Sequence, residues 1–263
     1  MKKFTNRLAI ISLTLFVIMF TFSGQIDAIE PGSAVAIWLL DEGDGKTIND
    51  SSGNEHHGEL QGGKWVKGPS GSALSLNGVS DRVVVPDTES LYLSKAWSIT
   101  AWVNVNKNEN GFGHIVGKRA AAGAVANYAF RTSGNGTGWE AYFSQGGWKG
   151  AWNQGAVKKD VWLYMTATYD GTNAIKIYEN GSEIGSVNVG GPPPRNDSPV
   201  NIGGWTNNNS ETLNGILYDV AIFNVALSEA DIKELMDDGI KRLLPVEPAD
   251  KLATTWGSIK SRK

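Results

Sequence analysis

From Ala34 to Phe223 the chain runs in short segments where apolar and polar residues alternate, rich in Val, Ile, Tyr and Trp and broken by glycine and asparagine. Ten stand out: Ala34–Leu40, Arg82–Val85, Ser98–Val105, His114–Gly117, Tyr128–Arg131, Trp162–Tyr169, Ala174–Glu179, Glu183–Val189, Val200–Gly203 and Gly215–Phe223. A period of two buries one face of each segment and wets the other, as in strands of an antiparallel sheet. Helical periodicity is scarce, which argues against a parallel α/β sheet with its crossover helices and for two sheets packed face to face. Two turns set the register of the middle: Tyr169-Asp170-Gly171-Thr172 and Glu179-Asn180-Gly181-Ser182. Asp-Gly and Asn-Gly supply the positive φ angles of tight hairpins, so the strands they join are antiparallel neighbours.

One helix is predicted near the end. Ser228 caps it with Asp231 three residues on, Leu227 and Ile232 form a hydrophobic staple, Ile232, Leu235 and Met236 make an apolar face, and Gly239 stops it. It is expected to close one end of the sandwich. Beyond Ile240 a Pro-containing basic tail, Lys241–Lys263, reads as a solvated terminus or as a docking tail with Trp256. At the other end, Lys2, Lys3 and Arg7 precede an apolar run, Leu8–Phe22, followed by Ser23, Gly24 and the small residue Ala28 in Ile26-Asp27-Ala28. That is the form of a secretory signal peptide, 1–28, and implies a secreted or envelope protein. The run is short for a membrane span, so a retained anchor is the weaker alternative. The globular part is then 34–240, and 241–263 is the tail.

Composition removes several functions. Without a single cysteine there is no disulfide scaffold, thiolate metal site or cysteine nucleophile. The net charge of −3 hides basic ends and an acidic middle, which would repel a phosphate backbone, so nucleic acid is excluded as a partner of the globular part.

Seven segments in order resemble the laminin-G-like domain of the concanavalin A-like lectin and glucanase superfamily, in the variety found in bacterial secreted proteins. They are Trp38-Leu-Leu-Asp-Glu-Gly-Asp-Gly45, Asp50-Ser-Ser-Gly-Asn54 with Gly58, Leu76-Asn-Gly78 leading to Asp81–Val85, Ser98–Val103, Trp162–Asp170, Ile177–Gly181, and Gly215–Asn224 with Ala226-Leu-Ser228. The resemblance covers 34–239 and implies an all-β jelly-roll of two curved antiparallel sheets with one short C-terminal helix.

The resemblance also implies a structural calcium between the Asp50 loop and the last long strand. The positions that match are Asp50 and Asp219, with Asn54 and the carbonyl of His57 as further ligands. Oxygen donors crowded around Gly53 suit calcium's irregular, oxygen-rich shell. The competing reading is an Asx-turn that needs no ion. Zinc is excluded: His56 and His57 are adjacent and would point apart, and His114 is remote.

Between Gly111 and Gly155, glycines, amides and aromatics crowd together, and Trp205–Asn209 adds another aromatic and amide loop. Indole and phenol faces stack on the C–H side of sugar rings, while amides and guanidinium groups bond hydroxyls or acids. The candidate ligand residues are Lys118, Tyr128, Arg131, Trp139, Trp148, Trp152, Trp205 and Asn207. Strand parity places Tyr128 and Arg131 on opposite faces, so one of the two meets ligand. Trp38, Trp97, Trp102 and Trp162 lie in strand-like alternation and are assigned to packing, whereas Trp139, Trp148, Trp152 and Trp205 are taken as loop residues available to solvent. Glycosidases of the superfamily carry their carboxylates as Glu-x-Asp-x-Glu on one strand. That pattern is missing, and Glu140 is the lone acid between Arg119 and Asp160, too few for a two-carboxyl mechanism. The expectation is a secreted, non-catalytic module that binds polysaccharide or another glycan. The alternatives are an adhesion module for an extracellular protein and, less favoured, a glycoside hydrolase.

Overall fold

The computed structural model describes residues 29–106, 111–120, 125–145, 147–153, 155–206 and 211–244. The signal segment, the tail beyond Leu244 and Asn207 lie outside the described residues. Two eight-stranded sheets face each other, and every strand pairing is antiparallel. Sheet A runs β14 (Ser182–Asn188), β13 (Ala174–Glu179), β12 (Trp162–Tyr169), β7 (Trp97–Val105), β16 (Asn214–Phe223), β5 (Gly71–Asn77), β4 (Lys64–Gly68), and β1 (Ala34–Trp38) pairs with the second half of β16. Sheet B runs β11 (Trp148–Asn153), β10 (Trp139–Gln145), β9 (Val125–Thr132), β8 (His114–Arg119), β15 (Val200–Ile202), β6 (Arg82–Val85), β3 (Gly58–Gln61), β2 (Thr47–Ile48).

The hairpin chemistry acts where the sequence places it. Asn180 and Gly181, at φ 50° and 75°, turn β13 into β14. Asp170 accepts the backbone N–H groups of Thr172, Asn173 and Ala174, which shapes the turn from β12 into β13. The expected packing residues divide in two. Trp38 and Trp97 are fully buried between the sheets. Trp102 and Trp162 lie on the outer face of sheet A around Tyr218, stacked on it at 5.8 Å and edge-on at 5.3 Å. The reason is parity: Ala101 and Val103 take the core positions of β7, which turns Trp102 outward.

Helix α1 (Glu229–Asp238) begins with the predicted capping box and ends at Gly239, φ 80°. It does not close an end of the sandwich. Ile232 and Leu235 share an apolar cluster with Ile37, Ala221 and Phe223, so the helix covers the outer face of sheet A. Ile29 at the start of the described chain and Ile240 and Leu243 after the helix join that cluster, and Ile240–Leu243 form a 3-10 turn. Packing against the sandwich therefore continues at least to Leu244, past the boundary at 240 expected from composition. Ser228→Ala removes the side-chain acceptor for the Asp231 N–H and should cost about 1 kcal/mol. In a thermal melt this is a drop of about 2–4 °C; an unchanged midpoint would mean the helix end is not coupled to global unfolding.

Six strands escape the alternation pattern: β2 to β5, β10 and β11. The last two lie in the glycine-rich segment from Gly111 to Gly155, where Trp139, Trp148 and Trp152 are expected on loops, and they decide where the aromatic residues go.

Candidate ligand-binding face

Ala141, Phe143 and Ala151 point into the core, so the residues between them on β10 and β11 face outward from sheet B. Register then builds three rows across the sheet. Trp148 lies opposite Ser144, Ala126 and Arg119; Gly150 opposite Tyr142, Ala129 and Gly117; Trp152 opposite Glu140, Arg131 and His114. Trp148 and Trp152, 51% and 47% exposed, are four residues apart on one strand face, about 13 Å by strand rise. Gly150 between them is required: a Cβ there would stand 2.3 Å from the Tyr142 Cβ and 2.9 Å from the Trp148 ring. The missing side chain lets the Trp148 indole lean over its own strand to within 6.1 Å of the Tyr142 ring. In the middle row Gly117 and Ala129 are buried beside Tyr142, with the His114 and Arg119 side chains over Gly117.

Next to this trough is a compact charge cluster. The Glu211 Oε2 accepts Arg119 Nη1 at 2.5 Å, Arg131 Nη1 at 2.7 Å and His114 Nε2 at 2.8 Å, while Arg131 Nε donates to Glu140 Oε2 at 3.0 Å. The guanidinium planes lie over aromatic rings, Arg119 on Trp205 at 3.9 Å and Arg131 on Phe112 at 4.1 Å, with Tyr142 flanking both. Burial, with help from the two arginine charges and against the pull of Glu211, lowers the His114 pKa to about 4, so the ring is neutral. The tautomer with the proton on Nε2 donates to Glu211 and leaves Nδ1 bare, in keeping with Nδ1 having no partner among the described residues. For Glu211, burial favours the neutral acid, but the His114 hydrogen bond and both guanidinium charges outweigh it and hold the pKa at about 2.

Both shifts act in the same direction on stability. His114 is protonated in the unfolded chain below about pH 6.5 but in the folded one only below about 4, and Glu211 takes a proton near 4.5 unfolded and near 2 folded. The unfolded state thus binds more protons across this whole range, and stability falls as pH drops from 6.5 toward 2. Melts from pH 7 to 3 should show a steadily falling midpoint; a flat profile would contradict the cluster.

Of the sequence-derived ligand residues, Trp148, Trp152 and Arg131 are on this face, and Trp205 is beneath it at 6% exposed. Three are not. Lys118 is turned to the other side of β8, where its ammonium meets Asp87 and the Ser198 carbonyl. Tyr128 is in the core, its hydroxyl donating to the Leu91 carbonyl, so Arg131 is the outward member of that pair. Trp139, 1% exposed, packs on Phe130 at 5.8 Å because β10 is a strand and its first position faces inward. His114, Phe112 and Glu211 are not among the candidate ligand residues read from the sequence.

The four expected calcium ligands do not converge. The Asp50 carboxylate accepts the N–H groups of Ile37, Ser52 and His56 and the Ser52 hydroxyl. Asn54 donates its amide to the Ala34 and Val35 carbonyls, and the His57 ring accepts the Asp50 N–H. Asp219 lies apart from this loop, across β1, where its own N–H meets the Leu39 carbonyl. The Asp50 loop is the Asx-type arrangement, with its oxygens taken up by protein donors, and no group of three or more carboxylates and imidazoles among the described residues is spaced for a metal. As a single ligand set these residues do not fit calcium.

A family model described as concanavalin A-like lectin/glucanases superfamily matches residues 77–233, more than half of the chain. The chain belongs to this superfamily. Among solved structures, this superfamily member is similar to the binding domain of Paraclostridial mosquitocidal protein 1, at 18% identity and TM-score 0.65, over 79% of this chain and 52% of that one. It is also similar to domain 4 of AbnA, a GH43 extracellular arabinanase from Geobacillus stearothermophilus, in complex with arabinotriose, at 19% identity and TM-score 0.62, over 77% and 98%. A third is the receptor-binding domain of a botulinum neurotoxin C/D mosaic serotype, at 16% identity and TM-score 0.62, over 80% and 52%. The chain spans about half the length of the two toxin domains and nearly all of the arabinanase domain. At these identities the likeness is one of fold. No curated protein matches the sequence at a significant level.

Proposed function

We infer that the chain is a non-catalytic binding module whose outer sheet B face holds a saccharide. One observation carries this reading: Trp148 and Trp152 are half exposed on one face of β11, either side of Gly150, with Tyr142 behind the gap. Flat apolar rings fixed by a strand stack on sugars without further ordering. Among the described residues, the other large exposed hydrophobics are Val79, Val161 and Val225, none on this face. A protein partner would call for a contiguous apolar centre, which two separated indoles do not make.

The same face argues against hydrolysis. It does hold two carboxylates, Glu140 and Glu211, one more than the sequence suggested, but both bond to the Arg131 guanidinium, and Glu211 is kept ionised to about pH 2. A glycosidase needs one carboxyl pushed the other way to serve as an acid. Export is part of the reading and rests on the signal-like segment 1–28; calcium is not, since its expected ligands point elsewhere. The arabinotriose-bound arabinanase domain of similar fold gives a starting panel of plant polysaccharides. Native electrophoresis through gels containing arabinan, xylan or β-glucan should retard the protein in at least one, with no reducing ends released. Retention of proteins but of no glycan would overturn the reading.

A further inference from the structure

Resting on that reading, we propose that the face selects neutral saccharides and rejects acidic ones, because its own carboxylates already neutralise both of its arginines. Two guanidinium groups beside an aromatic trough look like a clamp for a uronic acid or sulfated sugar. The contacts say otherwise. Arg119 donates to Glu211, and Arg131 divides itself between Glu211 and Glu140, so two positive charges meet two negative ones. All four side chains are largely buried, and His114 adds no charge because burial keeps it neutral.

Among the described residues, the other cations nearby are turned aside. Lys149, between Trp148 and Gly150 on β11, points to the opposite side and donates to the Gly190 carbonyl. Lys118 is spent on Asp87 beneath the sheet, and Arg82 donates to the Trp205 carbonyl and to Gln61. An acidic sugar stacked on the indoles would have to shed water from its charge in front of Glu140 and Glu211, a cost with no Coulombic return. A neutral sugar meets only ring faces and dipoles. The arginines then serve as positioning residues that fix Trp205, Phe112 and Tyr142 by stacking, not as ligand clamps.

Charge balance predicts how binding responds to salt. Affinity electrophoresis at about 20 mM and about 500 mM NaCl should change retardation by a neutral polysaccharide less than about twofold. Polygalacturonate and a sulfated galactan should not retard the protein at either salt. Glu140→Gln removes one compensating carboxylate, the one bonded to Arg131 alone. With its fold verified by circular dichroism, it should gain retardation in polygalacturonate that disappears at high salt.

Wild-type protein retarded by the acidic polymers in a salt-sensitive way would overturn the proposal and leave the glycan-binding reading intact. A folded Glu140→Gln protein that gains nothing would also overturn it. Absence of retardation in every neutral and acidic gel would instead bring down the glycan-binding reading itself, and the proposal with it.

Discussion

Trp148→Ala and Trp152→Ala should each weaken polysaccharide binding about tenfold to a hundredfold, the usual range for a stacking aromatic at the centre of a site. The double substitution should abolish retardation in affinity gels. Both rings are half exposed, and neither belongs to the core clusters, so the melting temperature should move little. The pairing of these two results is what matters. Loss of binding with an unchanged melt places the ligand on β11, whereas unchanged binding in the double variant would move the ligand elsewhere and leave the trough without a role. Tyr142 is a poorer probe, because it is buried beneath Trp148 and its removal would disturb Arg119 and Arg131 as well.

The largest effect on stability is expected from Glu211→Ala. One carboxylate oxygen takes hydrogen bonds from two guanidinium groups and an imidazole, and its removal leaves the buried Arg119 charge without a carboxylate and Arg131 with Glu140 alone. Breaking a buried ion pair from one side costs about 3–5 kcal/mol. For a domain of this size that is on the order of 10 °C in a melt. Glu211→Gln keeps the shape but not the charge and should fall between wild type and alanine. A drop of less than about 2 °C for Glu211→Ala would mean that water reaches the arginines and that the cluster is a surface ion pair of little worth.

Much of the architecture was legible in the sequence because it is written in local chemistry. Asp170 and Asn180 mark hairpins through their own backbone needs, Ser228 and Asp231 cap the helix within four residues, and alternation carries Trp38 and Trp97 into the core. What failed was the segment from Gly134 to Gly155. Glycine inside a strand ordinarily weakens it, so Gly150 reads as loop, yet here it is the price of fitting Tyr142 and Trp148 side by side. Once β10 is a strand, Trp139 must face inward and Glu140 outward. Glu211 could not have been found from spacing, since it lies 80 residues from Arg131 and 97 from His114 and meets them only in the folded chain, on the outer face of sheet B. Lys118 was misplaced for a related reason. β8 carries register irregularities on both sides of Val116–Lys118, so simple alternation does not say which of its cations faces outward.

The described chain enters at Ile29 and leaves past Leu243 within the same apolar patch, on the outside of sheet A, behind helix α1. Trp148 and Trp152 look out from the opposite layer. Both ends of the described chain therefore lie behind the sandwich, and the Trp148 and Trp152 rings are presented forward like the pad of an outstretched hand. A partner can then approach the two indoles without crossing the elements where the described chain starts and stops.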